Sequence, residues 1–450
     1  MENVKKVFFI GINGIGMSGL AKIAKSMGLE VEGSDIARKN ITKELEDLGI
    51  KVYIEQKKEN IKDIDMIVYS SAIKEDNPEY IEAKKRDIKM IKRGEFLAKL
   101  FNEKIGVAIA GTHGKTTTTS LMSSISMSKS PTIMVGGILP EINSNAKIGN
   151  SDIFIAEADE SDNSFLYLKP KYSIITNIEE DHLENHGSFE NIENSFKNFI
   201  EQTEDEVILC IDCENAKNLS KYSNKIKTYS IVDKEADIYA TNIIKTEEFT
   251  TFDLFVENKY IANFKIKIPG LHNVSNAIGA IYLALKFGVE IEEIKQKLES
   301  FTNARRRFDI LYSNGITIVD DYAHHPTEIK ATLKAAKERR KDKIVAVFQP
   351  HRFSRLKFLL DKFIGVFDLA DEVIILPIYS AGEKNIYGVD EKVLAEKIKH
   401  SKINIMKSEE EILNKINENK ISTTYLFMGA GDISQIAHNL SKKISQNYGV

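Results

Sequence analysis

The run Ala110-Gly111-Thr112-His113-Gly114-Lys115-Thr116-Thr117 packs two glycines, a lysine and three threonines between an apolar stretch and a Thr/Ser-rich, helix-like one. Glycines let backbone amides turn inward around phosphate oxygens, and a helix N-terminus adds partial positive charge. Lys115 would reach the β- and γ-phosphates of a nucleotide, and the Thr116 hydroxyl would ligate Mg²⁺. The pattern departs from the standard P-loop: Ile109 stands where a glycine is expected, and Gly111 lies only three residues before Gly114. A second run, Gly14-Ile15-Gly16-Met17-Ser18-Gly19 with Asp35 further on, fits the dinucleotide pattern. The same glycines serve any diphosphate, so an NAD-dependent oxidoreductase and a nucleotide-sugar binder both stay open here. A third run, Glu157–Asp162, carries four carboxylates in six positions. It is either a solvated acidic loop or a place for metal and substrate.

These clusters need elements to hold them, and the sequence supplies a recurring one. A short apolar run is followed by a polar or glycine cluster and then a helical stretch, the pattern of βαβ units in parallel sheets. Strands are predicted near 7–10, 30–32 and 66–69; near 105–110, 153–156, 173–176 and 207–211; and near 316–319, 344–348, 372–376 and 424–428. Seven chemically rich clusters follow seven of these strands, and open α/β sheets bind ligands beyond the carboxyl ends of their strands. The chain has 450 residues, too many for one core, which stops growing at roughly 250–300. Three α/β domains are read, over 1–104, 105–304 and 305–450.

Composition sets the outer limits. A hydrophobic share of 42% and a charged share of 28% describe a globular chain. A net charge of −4 with interspersed signs offers no footprint for nucleic acid. No apolar run reaches the roughly 20 residues of a membrane span, and the N-terminus has no signal-peptide anatomy. Two cysteines, Cys210 and Cys213, exclude a disulfide scaffold, so a cytoplasmic setting is expected. The pair is read as finishing a buried strand.

Taken together, the motifs resemble the Mur ligases of bacterial cell-wall synthesis. The matching segments are Gly14–Gly19 with Gly33-Ser34-Asp35; Ser70-Ser71-Ala72-Ile73 with Asn77-Pro78-Glu79; Gly111–Thr119; Glu157–Asp162; Thr176-Asn177-Ile178 with Asp181-His182; His272-Asn273 with Asn276-Ala277; Arg306-Arg307-Phe308; Asp320–Pro326; Gln349-Pro350-His351-Arg352 with Arg355; and Gly429–Asp432. Asn13 and Ala323 stand where glycine is usual. The resemblance implies a Rossmann-like N-terminal domain for a UDP substrate, a central P-loop ATPase, and a Rossmann-like C-terminal domain that closes over the site. It implies ATP and Mg²⁺, with UDP-N-acetylmuramate and L-alanine as partners, no nucleic acid or membrane partner, and a monomer or dimer.

The resemblance also implies roles. Gly111, Thr112, His113, Gly114, Lys115, Thr116, Thr117, Asn273, Asn276, Arg306 and Asp321 would bind ATP. Thr116, Glu157 and His182 would hold metal. Gly14, Gly16, Ser18, Ser34, Asp35, Ser70, Ser71, Glu160, Ser161, Arg307, Tyr322, His351, Arg352 and Arg355 would bind substrate. Lys115, His182, His324 and Arg352 would be catalytic, His324 as the base that deprotonates the attacking amine. A sister ligase using another amino acid or a murein peptide, an oxidoreductase, and a non-catalytic nucleotide-binding protein remain the alternatives.

Overall fold

Apolar runs bounded by polar clusters become strands covered on both faces, and three sheets result. The computed structural model describes residues 4–181, 183–339, 342–418 and 422–448. His182, assigned above to metal binding and catalysis, lies outside them.

The first sheet is built from β1 (Lys6–Ile10), β2 (Glu30–Asp35), β3 (Lys51–Ile54), β4 (Met66–Tyr69) and β5 (Lys89–Lys92). Its order is β3-β2-β1-β4-β5, parallel throughout. The order reverses beside β1, so the crevice beyond β1 and β4 is the switch point where such sheets take ligands.

The second sheet contains β6 (Ile105–Ala110), β7 (Thr132–Leu139), β8 (Ser144–Lys147), β9 (Ile153–Glu157), β10 (Tyr172–Ile175), β11 (Glu206–Cys210), β12 (Ile226–Ser230), β13 (Ile238–Lys245), β14 (Thr250–Val256) and β15 (Lys259–Ile266). The order is β15-β14-β13-β12-β11-β10-β6-β9-β7-β8. β6 lies between β10 and β9, parallel to both. Five of its six residues are buried, as expected for a strand covered on both faces. The loop that follows β6 therefore leaves from the middle of the sheet.

The third sheet holds β16 (Asp309–Asn314), β17 (Ile316–Asp321), β18 (Lys343–Phe348), β19 (Glu372–Ile375), β20 (Ile403–Ile405) and β21 (Thr423–Met428), in the order β16-β17-β21-β18-β19-β20. All pairs are parallel except the β16–β17 hairpin.

The predicted strands coincide with the buried centres of these sheets. Most of the unpredicted ones are edges or one-sided strands; β7, inside the second sheet with its first four residues buried, is the apolar strand that sequence reading missed. β3 has no buried residue, and β14 alternates buried and half-buried positions. Such strands lack the continuous apolar run that a doubly covered strand shows. The chain divides into two compact units, one of Met1–Thr241, Leu254–Ala262 and Ser275–Lys297, the other of Asn242–Asp253, Asn263–Val274 and Leu298–Val450.

Candidate active site

In the first unit, the loop after β1 is shaped mainly by its own chain. Gly11 takes φ +84°, and the Gly11 and Ile12 amides both donate to the Ser34 carbonyl at 2.9 Å. The Asn13 amide donates to Asp35 Oδ2 at 2.9 Å, while Asp35 Oδ1 accepts from the Ile36 amide. Asp35 thus holds the loop, with both carboxylate oxygens engaged by backbone. Ser34 is buried and donates to Glu79, itself fully buried and also held by Asn60 at 2.6 Å. Ser18 is buried too and donates to the Ile15 carbonyl. Gly14 caps the helix Ile15–Ser26. Gly16 and Gly19 serve close packing: a Cβ on Gly16 would lie 2.9 Å from Arg93 Nη1, and one on Gly19 2.8 Å from Asn145 Nδ2. Ser70 and Ser71 begin the loop after β4, Ser70 half-buried and Ser71 exposed.

The loop after β6 is built differently. Gly111 and Gly114 take φ +126° and +83°, values that residues bearing a Cβ rarely adopt. A Cβ on Gly111 would sit 2.2 Å from Thr176 Oγ1. The loop is tied to the end of β10: the Thr112 amide donates to the Asn177 carbonyl, and the His113 amide donates to Asn177 Oδ1 at 2.8 Å. Asn177 Nδ2 and Thr176 Oγ1 both donate to the His113 carbonyl. The Thr112 hydroxyl accepts from the Glu179 amide. The helix Lys115–Ile125 then starts beneath the loop and buries every residue from Thr116 onward, Thr117 included.

Charge is gathered at this helix start. Lys115 Nζ donates to the Gly111 carbonyl at 2.6 Å and pairs with Glu160 at 2.8 Å. Burial pulls the ammonium pKa down, but Glu160, Asp159 and Glu157 more than reverse this and leave it raised. Thr116 Oγ1 donates to Glu157 at 3.0 Å. Glu157 Oε2 also accepts from the Gly136 amide at 2.8 Å, an approach only glycine allows, because a Cβ there would lie 2.5 Å from that oxygen. A hydroxyl beside a carboxylate is an all-oxygen donor set, which suits Mg²⁺. Asp159 pairs with Arg93 at 3.1 Å. Burial raises its pKa, yet Arg93 and Lys115 overcome that and hold it down at about 2. Asn276 packs on the loop, its Oδ1 lying 2.9 Å from where a Gly114 Cβ would be. Asn273 turns instead to the Pro269 carbonyl at 2.6 Å.

In the second unit, the ends of β17, β18 and β21 gather cations and aromatic rings. The Arg306 and Arg307 guanidiniums lie 4.8 and 5.1 Å from the centre of the Tyr322 ring. Arg306 also donates to the Gly429 carbonyl at 2.7 Å. Tyr322, His324, His351 and Tyr379 form a chain of ring contacts at 5.3, 6.2 and 5.6 Å, the last pair stacked. His324 Nδ1 lies 2.9 Å from the Tyr322 carbonyl. A carbonyl only accepts, so Nδ1 carries the hydrogen and Nε2 of the neutral ring carries the lone pair. Burial, then Arg355 and Arg352, hold the His351 ring pKa down at about 4. Arg352 sits at φ +65° with its amide on the Tyr379 carbonyl at 2.9 Å. That backbone costs on the order of 1–3 kcal/mol for a residue with a Cβ, a form of strain that clusters at functional sites. Arg355 is buried nearby in the sequence. Asp321 is buried, accepts from the Phe308 and Ala323 amides at 2.8 Å, and has its pKa raised by burial to about 6 although Arg307 opposes the rise. Its carboxylate holds the Arg306–Phe308 turn rather than standing open.

The structure thus brings Lys115, Thr116, Glu157 and Glu160 together in the first unit, and Arg306, Arg307, Tyr322, His324, His351 and Arg352 in the second. It turns Asp35, Ser34, Ser18, Asn273 and Asp321 to internal support. Sequence reading missed Arg93, Gly136 and Tyr379. Gly136 had a signal, a glycine pair inside an apolar strand, where close approach of a neighbour is the usual reason. Arg93 and Tyr379 had none.

The chain matches three family models, described as the Mur ligase family catalytic domain over residues 6–105, the Mur ligase middle domain over 109–284, and the Mur ligase glutamate ligase domain over 306–431. A UDP-N-acetylmuramate–L-alanine ligase of Fusobacterium nucleatum is 50% identical across 99% of this chain and 98% of its own. One from Aquifex aeolicus is 40% identical across 99% of both chains. The crystal structure of a UDP-N-acetylmuramate–alanine ligase from Thermotoga maritima superposes with a TM-score of 0.85 at 30% identity, covering 98% of this chain and 99% of that one. A murein peptide ligase from Psychrobacter arcticus shares the fold, with a TM-score of 0.73 at 23% identity, covering 97% of this chain and 98% of that one.

Proposed function

The chain belongs to the Mur ligase family, and from that premise we propose that it joins L-alanine to the lactyl carboxylate of UDP-N-acetylmuramate with ATP. The observation that carries the chemistry is Lys115, held between a phosphate-type loop and three carboxylates. The specific substrates rest on the full-length similarity to ligases of that name. We propose the division 1–104, 105–304 and 305–450 for the UDP substrate, for ATP and for the amino acid.

A carboxylate is a poor electrophile, because its oxygen is a poor leaving group. In the first step a lactyl carboxylate oxygen attacks the γ-phosphorus of ATP, ADP leaves, and an acyl phosphate forms. In-line phosphoryl transfer needs positioning and neutralised charge more than covalent help. Lys115 offsets charge on the transferring phosphoryl, and the positive N-terminal end of the helix Lys115–Ile125 helps to hold it. Bound Mg²⁺ would supply charge neutralisation across the phosphates; Thr116 and Glu157 are the residues that would hold it, with His182 as a further proposed ligand. In the second step the alanine amine attacks the acyl carbon, the C–O bond breaks, and phosphate departs. The amine must shed a proton, and the His324 Nε2 lone pair accepts it. Arg352 and Arg355 offer planar forks to the alanine carboxylate.

The test is phosphate release from ATP with UDP-N-acetylmuramate across a panel of amino acids and murein peptides. Alanine should give the fastest release, with glycine and serine as weak competitors, since a small pocket discriminates single methyl or hydroxyl groups poorly. Absence of alanine-dependent release contradicts the reading. Among the described residues no helix is long and apolar enough to cross a membrane, in keeping with action on a water-soluble precursor.

A further inference from the structure

The acidic run beyond β9 has little regular structure of its own, and yet three of its consecutive residues are fixed from outside. Asp159 is held by Arg93, as described. The Glu160 carbonyl accepts from His186 Nε2 at 2.9 Å, and the Ser161 carbonyl accepts from Asn185 Nδ2 at 2.8 Å. Asn185 and His186 end the short helix Leu183–His186, which turns at Gly187 (φ +77°) into the helix Phe189–Gln202. The Asn191 side chain caps this corner by donating to the His186 carbonyl at 2.7 Å.

His186 is only 6% exposed. Its Nε2 must carry the hydrogen, because its partner is a carbonyl. Nδ1 then presents a lone pair that is buried and has no hydrogen-bond partner among the described residues. Leaving such an acceptor unpaired carries the cost of stripping it of water with nothing in return. As packing alone, an imidazole here is a poor choice beside a phenylalanine ring of similar size. What the imidazole adds is a donor aimed at the Glu160 backbone. That carbonyl also accepts from the Asn163 amide at 3.1 Å, so losing the imidazole would not strand it. The His186 bond fixes direction more than it supports the fold.

Direction matters because the Glu160 carboxylate is the partner of Lys115. We propose that His186 is a positioning residue that sets Glu160, and through it Lys115, for nucleotide phosphate, with Asn185 as its weaker second strap. The proposal rests on Lys115 serving ATP, as argued above.

The test uses the purified full chain and reads both the affinity for a non-hydrolysable ATP analogue with Mg²⁺, by calorimetry, and steady-state turnover. His186→Phe should weaken analogue binding several-fold and lower kcat about ten- to hundredfold, since small misplacements at a reacting centre cost up to about 10²-fold. KM for the UDP-sugar and the melting temperature should stay near the parent values. His186→Gln keeps a donor of similar reach and should restore most of the loss. Asn185 is exposed, so Asn185→Ala keeps the fold and should lower kcat two- to fivefold. Parent-like analogue affinity and turnover in His186→Phe overturn the proposal, as does a loss that His186→Gln fails to repair. If His186→Phe does not fold, parent-like behaviour of Asn185→Ala overturns it. The calorimetry needs neither UDP-sugar nor alanine, so an error in the substrate assignment would show separately.

Discussion

Two glycine-rich turns in the first unit follow the same plan, strand to loop to helix, and are put to different use. In the loop after β1 the backbone donors of Gly11, Ile12 and Asn13 are engaged by Ser34 and Asp35. The first turn of its helix carries no basic side chain, and Lys22 further along is engaged by Glu44 at 3.0 Å. In the loop after β6 a lysine stands at the helix start with carboxylates around it. In both turns the first loop amides are taken up by the chain itself, in the second by Asn177. What separates them is the charge at the helix start: in the proposed reaction the second would follow a charge that moves, while the first would hold a diphosphate that does not react. Substitutions in the two loops should accordingly divide between kcat and KM.

The largest effect belongs to the second loop. Lys115→Met should lower kcat by about 10³-fold or more, in the range seen for groups that stabilise charge in the transition state, measured by phosphate release at saturating substrates. Glu157→Gln should cost about 10²-fold and raise the Mg²⁺ concentration needed for half-maximal rate, because an amide is a weaker ligand for a hard cation; an unchanged Mg²⁺ requirement would remove Glu157 from the metal set. His324→Ala should lower kcat by about 10²-fold, as for loss of a general base, while leaving the KM for ATP within twofold. The smaller effects belong to the first loop. Asp35→Asn retains one acceptor oxygen for two backbone donors, so the KM for the UDP-sugar should rise about three- to tenfold at nearly constant kcat, the cost of one weakened hydrogen bond. Were Asp35→Asn to change kcat instead, the distinction between the loops would fail.

The smallest effect is one of pH. His351 is held at about 4 in the folded chain against an ordinary value near 6.5. Below pH 6.5 the unfolded chain takes up a proton that the folded chain refuses, so stability falls as pH drops from 6.5 toward 4 and is unaffected above that window. His351→Phe should flatten this part of the profile, read as the unfolding midpoint at pH 7 and pH 5.

The parts of the site that sequence revealed share one property: each is local. Gly111, Gly114, Lys115 and Thr116 lie on one turn, and the acidic run follows one strand, so spacing alone brings them near each other. Asp35 shows the limit. Its spacing from the glycines fits a ribose partner, but the carboxylate faces the turn and takes the Asn13 and Ile36 amides. Arg93 shows the other limit, since its partner Asp159 is 66 residues away and nothing near Arg93 marks the pairing. The sheets show the same contrast. Buried central strands stand out as continuous apolar runs, whereas the half-exposed β3 and the three-residue β20 gain their strand character only from their neighbours.

The central claim is that an oxygen of the sugar's carboxylate is activated by phosphate before the amine attacks. With UDP-N-acetylmuramate carrying ¹⁸O in both carboxylate oxygens, ATP and L-alanine, the released inorganic phosphate should contain one ¹⁸O per molecule, and the amide product should retain the other. Phosphate free of ¹⁸O, with alanine consumed, would contradict the account.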